Sequence, residues 1–137
     1  EGVDVVVCPP FPFLHRVREA LDGSKIALGA QDCHWEAKGA FTGEVSPPML
    51  REAGCRYVVL GHSERRHIMG ESNDHVNRKV RAALAHGLTP IVCVGELLEE
   101  RSMGVTREVV ERQLSKGLAG LAPAEYHSRP RPPAGKR

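Results

Sequence analysis

His62, Ser63, Glu64, Arg65 and Arg66 follow one another without a gap, and every one of them is polar or charged. Immediately before them stand Tyr57–Leu60, a short apolar run rich in β-branched and aromatic residues, and then a breaking glycine, Gly61. That composition favours a buried strand. A strand that ends in glycine and then presents an imidazole, a hydroxyl, a carboxylate and a guanidinium aims them at one rim of a sheet. In α/β proteins the rim at the carboxyl ends of the strands is where ligands sit. A histidine just before a helix start lies among free N–H donors, at the positive end of the helix dipole. If one ring nitrogen accepts such an N–H, the other is left to donate to a ligand oxygen as neutral imidazole. The same letters also suit a plain solvated turn, with Ser63 as N-cap, Glu64 in the first turn and Gly70 as the C′ residue.

The other candidates have weaker settings. His67 and His75 fall in helical or loop sequence and read as solvent-facing; His15, His34, His86 and His127 have no chemical neighbours along the chain. His34 follows Cys33, but no second ligand pair has metal spacing, so no metal and no other cofactor is expected. Glu96 lies at a strand end and is the other acid that could serve as a base. Cys8, Cys33, Cys55 and Cys93 show no C-x-x-C pattern. Cys8, Cys55 and Cys93 lie in or beside apolar runs and read as buried thiols of a reducing, cytoplasmic compartment.

Four strand–helix pairs must position these groups. Val3 to Cys8 reads as a strand stopped by Pro9-Pro10-Phe11-Pro12, and Phe13, Leu14, Val17, Ala20 and Leu21 then recur at helical spacing. Ile26 to Ala30 is a second strand, with Gln31 and Asp32 at its end. Gly39 to Glu44 is a glycine-bounded loop with Phe41 exposed, which fits an interaction surface as well as an ordinary turn. Ser46-Pro47 starts a short helix that ends at Gly54. After the strand Tyr57–Leu60, Ser72 opens a longer helix with Val76, Val80, Ala83 and Leu84 as its apolar stripe and Gly87 as its stop. Leu88 to Val94 is the fourth strand. Thr106 is placed as the cap of the last helix, with Val110, Leu114 and Leu118 facing inward.

Strand centres roughly thirty residues apart match βαβ units. The alternation implies a parallel sheet covered by helices, with right-handed crossovers. On pattern alone an open flavodoxin-like sheet and part of a barrel are equally allowed. The 137 residues allow one ordinary domain. A complete (β/α)8 barrel typically needs about 250. A net charge of +2 implies no particular partner. No apolar stretch is long enough to span a membrane, and no signal peptide is visible. Residues 1–122 form the folded unit in this reading. Residues 123–137, with four prolines, four basic residues and one acid, form a basic tail expected to be disordered or extended. Its charges are too few and too clustered to argue for nucleic acid.

Three segments, in order, carry a family resemblance. Gly61-His62-Ser63-Glu64-Arg65-Arg66 with Gly70-Glu71-Ser72, Gly39-Ala40-Phe41-Thr42-Gly43-Glu44-Val45-Ser46-Pro47, and Ile91-Val92-Cys93-Val94-Gly95-Glu96 resemble motifs of the triosephosphate isomerases. The likeness runs from about Val3 to about Leu118. It selects the barrel over the open sheet and implies the second through fifth βα units of a (β/α)8 TIM barrel. It implies interconversion of dihydroxyacetone phosphate and glyceraldehyde 3-phosphate through an enediolate, in glycolysis and gluconeogenesis. His62 takes the place of the electrophile, Glu64 that of the residue pairing with the catalytic lysine, and Ser63 a supporting role. Phe41, Thr42, Glu44 and Arg65 take places at a homodimer interface: Thr42 at the tip of the loop, Glu44 and Arg65 as an ion pair across it. Cys93 resembles the thiol under the active site, and Asp32 stands where an amide is more usual.

The same resemblance places the Asn-x-Lys segment before Glu1 and the glutamate base after Leu121. The expectation is therefore a fragment or truncated product, inactive alone, and the abrupt tail fits a frame change or alternative terminus. The alternatives are a non-catalytic relative that serves as an interaction or dimerisation module, and a separate α/β domain whose basic tail meets acidic partners.

Overall fold

The computed structural model describes residues 2–122. Four parallel strands lie side by side in sequence order: β1 (Val6–Val7), β2 (Ala27–Ala30), β3 (Tyr57–Leu60) and β4 (Thr89–Val92). The register pairs Val6 with Ala27, Gly29 with Tyr57, and Tyr57 with Thr89. Helices α1 (Leu14–Ala20), α2 (Pro47–Glu52), α3 (Ser63–His67), α4 (Asn73–Ala85), α5 (Leu98–Ser102) and α6 (Thr106–Gly117) fill the connections. An open, consecutive order of this kind, each strand returning through a helix, is the layout of a barrel segment and not of a doubly wound sheet, whose order reverses.

Alternation along the strands sorts their side chains onto two faces. Leu28, Ala30, Val58 and Leu60 join Val76, Val80, Ala83 and Leu88 in the main core, under the helices. Gly29 lies on the other face, where a Cβ would come within 2.7 Å of Cys8 Sγ and 3.3 Å of Tyr57 Cβ. A glycine here lets β1 and β3 approach β2 closely on the concave side.

Ser46 caps α2 by accepting from Met49 N–H, and Ser72 caps α4 by accepting from His75 N–H, as expected. His75 is not merely solvent-facing: its Nδ1 accepts the Ser72 N–H at 3.4 Å, closing a reciprocal capping box.

Several local expectations are corrected. The first strand is two residues long, because its leading residues carry no ladder partner beyond the Ala27 N–H to Val5 carbonyl bond. The fourth is shorter than Leu88–Val94 at both ends. His62, not Ser63, is the N-cap of α3, and α3 reaches its cap at Ile68, two residues before Gly70. Thr106 is the first residue of α6 and Val105 its cap; the Thr106 hydroxyl instead lies 3.4 Å from Glu96 Oε1.

The fully buried face of α6 is Val109, Gln113 and Gly117, one residue back from the predicted stripe; of that stripe Leu118 does pack against the core, Val110 is half-buried and Leu114 is exposed. Gln113 wins this position because its amide makes two hydrogen bonds to the Gly95 backbone, at 2.8 and 2.9 Å. Helix α5 was not anticipated; its single turn has no apolar period to announce it. All four thiols are free, but the fully buried pair is Cys33 and Cys55, while Cys8 and Cys93 are half-buried. The expected tail, 123–137, lies outside the described residues. No helix among the described residues is long and apolar enough to cross a membrane.

Candidate active site

The site grows from the end of β3. Gly61 adopts φ +68°, and a Cβ there would meet Arg66 Nη2 at 2.8 Å and Val76 Cγ2 at 3.0 Å. Only glycine takes that left-handed turn without cost. It delivers His62 to the first position before α3. The His62 Nδ1 accepts the Glu64 N–H at 3.4 Å, a long bond, and the Glu64 carboxylate lies 3.5 Å from the same nitrogen. With Nδ1 engaged as acceptor, Nε2 is the nitrogen left to donate outward.

Arg66 fastens this turn to its neighbours. Its guanidinium donates to the Gly61 carbonyl at 2.6 Å, to Asn73 Oδ1 at 2.7 Å and to the Cys93 carbonyl at 3.1 Å. One planar fork thus joins the ends of β3 and β4 to the start of α4. Burial pulls the Arg66 guanidinium below its ordinary range, and Glu71 and Cys93 act against that. Cys93 itself is pushed up by burial, with Arg66 pulling it back.

His62, Glu64 and Arg65 come together with Cys8, Gln31 and Asp32 around a cleft of about 390 Å³ at the carboxyl ends of β1–β3. Ser63 is exposed at the first turn of α3 and does not line it. Phe41, Thr42 and Glu44 lie outside that cleft, on the loop after β2. Phe41 is 43 % exposed even though its ring lies 4.5 Å from that of His34. Thr42 is exposed, and Glu44 Oε2 lies 3.8 Å from His34 Nδ1.

Arg65 is engaged inside its own chain. Its Nε lies 2.9 Å from Asp32 Oδ2 and 3.6 Å from Glu71 Oε1. An interface ion pair with Glu44 would therefore share an arginine already committed to two acids. Glu96 does not line the cleft of His62. It is tied to Arg101 at 2.8 Å, and a bond to its own backbone, then Arg101, hold its carboxyl below the usual range.

Lys79, which the sequence reading passed over, completes a buried charge cluster with Asp32, Glu71 and Arg65. Lys79, only 4 % exposed, donates to Asp32 Oδ1 at 2.9 Å and Oδ2 at 3.1 Å, and to Glu71 Oε1. A signal was available: Lys79 stands on the apolar stripe of α4, between Val76 and Ala83, where a lone lysine needs a partner. Burial raises the Asp32 carboxyl from its ordinary 3.8, and Lys79 and Arg65 only partly offset it.

A parallel strand–helix segment in consecutive order, with its polar groups gathered at the strand carboxyl ends, is the arrangement of part of a (β/α)8 barrel. The family profile described as triosephosphate isomerase matches residues 1–128. The triosephosphate isomerase of Carboxydothermus hydrogenoformans is 62 % identical over 120 residues, covering 88 % of this chain and 48 % of that protein. That of Aquifex aeolicus is 50 % identical over 121 residues, covering 88 % and 49 %. The crystal structure of triosephosphate isomerase from Bartonella henselae superposes with a TM-score of 0.84 at 43 % identity, covering 90 % of this chain and 52 % of that one. The chain belongs to the triosephosphate isomerase family, and it spans about half the length of the relatives it matches.

Proposed function

We propose that this segment supplies the electrophilic half of a triose phosphate isomerase site. In such enzymes a glutamate base moves a proton between adjacent carbons while a neutral histidine polarises the oxygens. The observation that carries the reading is the His62 N-cap. Its Nδ1 is occupied by the Glu64 N–H, so a ring aimed at the cleft can present only Nε2–H to a substrate oxygen. An imidazole donor stabilises the developing enediolate charge without giving up a full proton. Glu64, on the same cleft, is in this reading the partner of a lysine from another strand. Ser63 supports the turn. The substrate in this reading is dihydroxyacetone phosphate or glyceraldehyde 3-phosphate, in the cytoplasm, and the base comes from a further unit of the barrel.

The exposed loop carrying Phe41, Thr42 and Glu44 is read as a homodimer contact, with Arg65 at its rim. Its glycine bounds and its exposed ring support that role. A Thr42→Glu change in a full barrel carrying this segment should yield monomers; an unchanged dimer removes the interface reading.

A coupled assay with dihydroxyacetone phosphate tests the chemistry. The 137-residue chain alone should show no enzymatic rate, since a positioned base is worth about 10²–10⁴-fold by itself. Adding the remaining strand–helix units as separate polypeptides should restore turnover, and His62→Gln should abolish it again. Robust turnover by the chain alone, or restored turnover untouched by His62→Gln, would refute the assignment.

A further inference from the structure

The Asp32 cluster joins three elements at one point. Asp32 stands two residues past the end of β2, Arg65 is on α3, Lys79 is on α4, and Glu71 is in the connection between the two helices. The Asp32 and Lys79 side chains are 8 % and 4 % exposed, whereas Arg65 is 33 % exposed at the rim of the cleft. The two inner partners hold each other through both carboxylate oxygens. Arg65 is therefore the removable member, and it is on the helix that His62 caps.

We propose that Asp32 is a positioning residue: as a carboxylate it latches α3, and the His62 ring at its start, to the end of β2 through Arg65, and on taking up a proton it lets Arg65 go. Only the consequence at His62 rests on the functional reading above. The latch itself is a property of this chain.

The charged groups facing Asp32 are Lys79 from α4, Arg65 from α3 and Glu71 from the connection, with the Cys33 thiol beside it in sequence. Two opposite pH signs follow. Unfolding returns Asp32 to its ordinary 3.8, below its raised folded value. The fold therefore binds the proton more tightly, and this group's contribution to overall stability grows on acidification and is lost as pH rises through that window. Releasing Arg65 alone leaves Asp32 buried beside Glu71 and removes a charge that holds its proton affinity down. The released state binds the proton more tightly still, so acid favours local release. Acidification should loosen α3 while, as far as Asp32 is concerned, strengthening the whole.

Amide hydrogen exchange by NMR on the 137-residue chain reads the local arm at Arg66, Ile68 and Glu71, whose N–H groups bond to His62, Glu64 and Arg65 carbonyls. The Arg65–Asp32 contact is an ion pair at 2.9 Å without hydrogen-bond alignment, and it lies between the exposed and the buried case, so a roughly tenfold fall in α3 protection is expected, relative to β3, as pH drops from neutral toward the aspartate range. Asp32→Asn should show the low protection already at neutral pH and no further fall. Arg65→Gln should match it, and the double variant should loosen no further. Urea midpoints read the global arm: the unsubstituted chain should gain on Asp32→Asn as pH falls. Equal α3 protection in the chain and both variants at neutral pH would overturn the latch, as would an acid-induced loss that persists in Asp32→Asn or additive effects in the double variant. Turnover enters none of these readings, so failure of the isomerase assignment leaves a distinct result.

Discussion

Replacing Lys79 by methionine should cost this chain a large share of its stability. The stem of Met fills much of the same space, so the change isolates the charge. Lys79 is 4 % exposed and donates to Asp32 at 2.9 and 3.1 Å and also to Glu71. Without it, two buried acids face one another with only Arg65 between them, and Glu71 Oε2 already has no hydrogen-bond partner among the described residues. Removing one member of a buried ion cluster costs about 3–5 kcal/mol, because the remaining charges are left uncompensated. A whole domain is stable by only about 5–15 kcal/mol. The contrast within this protein is Arg107–Glu111, an exposed pair at 2.7 Å on α6, whose loss should cost roughly 0.5 kcal/mol at most.

Urea unfolding followed by far-ultraviolet circular dichroism measures the difference. With a slope of roughly 1–3 kcal/mol per molar urea, Lys79→Met should move the midpoint down by about 2 M. The deficit has a predicted pH course. Lys79 opposes the upward displacement of Asp32, so its removal raises that carboxyl further. Protonation then relieves the variant more than the parent, and the deficit shrinks as pH falls. Adding Glu71→Gln to Lys79→Met should recover much of the loss for the same reason. A cost under about 1 kcal/mol, or a deficit that widens in acid, would refute the view that the cluster is a buried, mutually neutralising unit.

Gly29→Ala should destabilise by about 1–3 kcal/mol, read from the same urea curves, since its Cβ would overlap Cys8 Sγ at 2.7 Å with β1 and β3 on either side. Thiol alkylation at mildly alkaline pH should label Cys8 and Cys93 first. Burial pushes Cys33 up to about 12 and Cys55 to about 11, so neither forms much thiolate before the chain unfolds. Mass spectrometry showing Cys33 labelled at the rate of Cys8 would contradict this.

What was legible in the sequence had local causes. Gly61, the β-branched run before it and the Ser46 and Ser72 caps are decided within a few residues of themselves, and each element formed where its signal stood. Val76, Val80 and Ala83 showed the buried face of α4 because three apolar side chains at helical spacing have few alternatives. The resemblance supplied the barrel and the candidate role of His62. What was not legible had partners far along the chain. Gln113 turned α6 by one position because of Gly95, eighteen residues away, and nothing on α6 itself marks that bond. Thr106 lost its place as a cap to the pull of Glu96. Asp32 read as an unexplained acid because its partners, Arg65, Glu71 and Lys79, come from other elements that only the fold brings together.

The placement of His62 shows how the two kinds of cause combine. Gly61 and the start of α3 are enough to make it an N-cap, and that sets which ring nitrogen is occupied. They do not set where the turn sits relative to the rest of the sheet. That falls to two nonlocal ties of different chemistry. Arg66 binds neutral carbonyl and amide oxygens from β3, β4 and α4, contacts that ask nothing of any titrating partner. Arg65 instead lies against Asp32, whose ionisation burial makes costly, with Glu71 3.6 Å away. The first tie holds the turn to β3 and β4, while the second holds α3 to β2. An acid-sensitive contact is therefore confined to the side of α3 that borders the cleft: the strand end at Gly61 stays held by Arg66, while α3 and the His62 ring at its start follow Asp32.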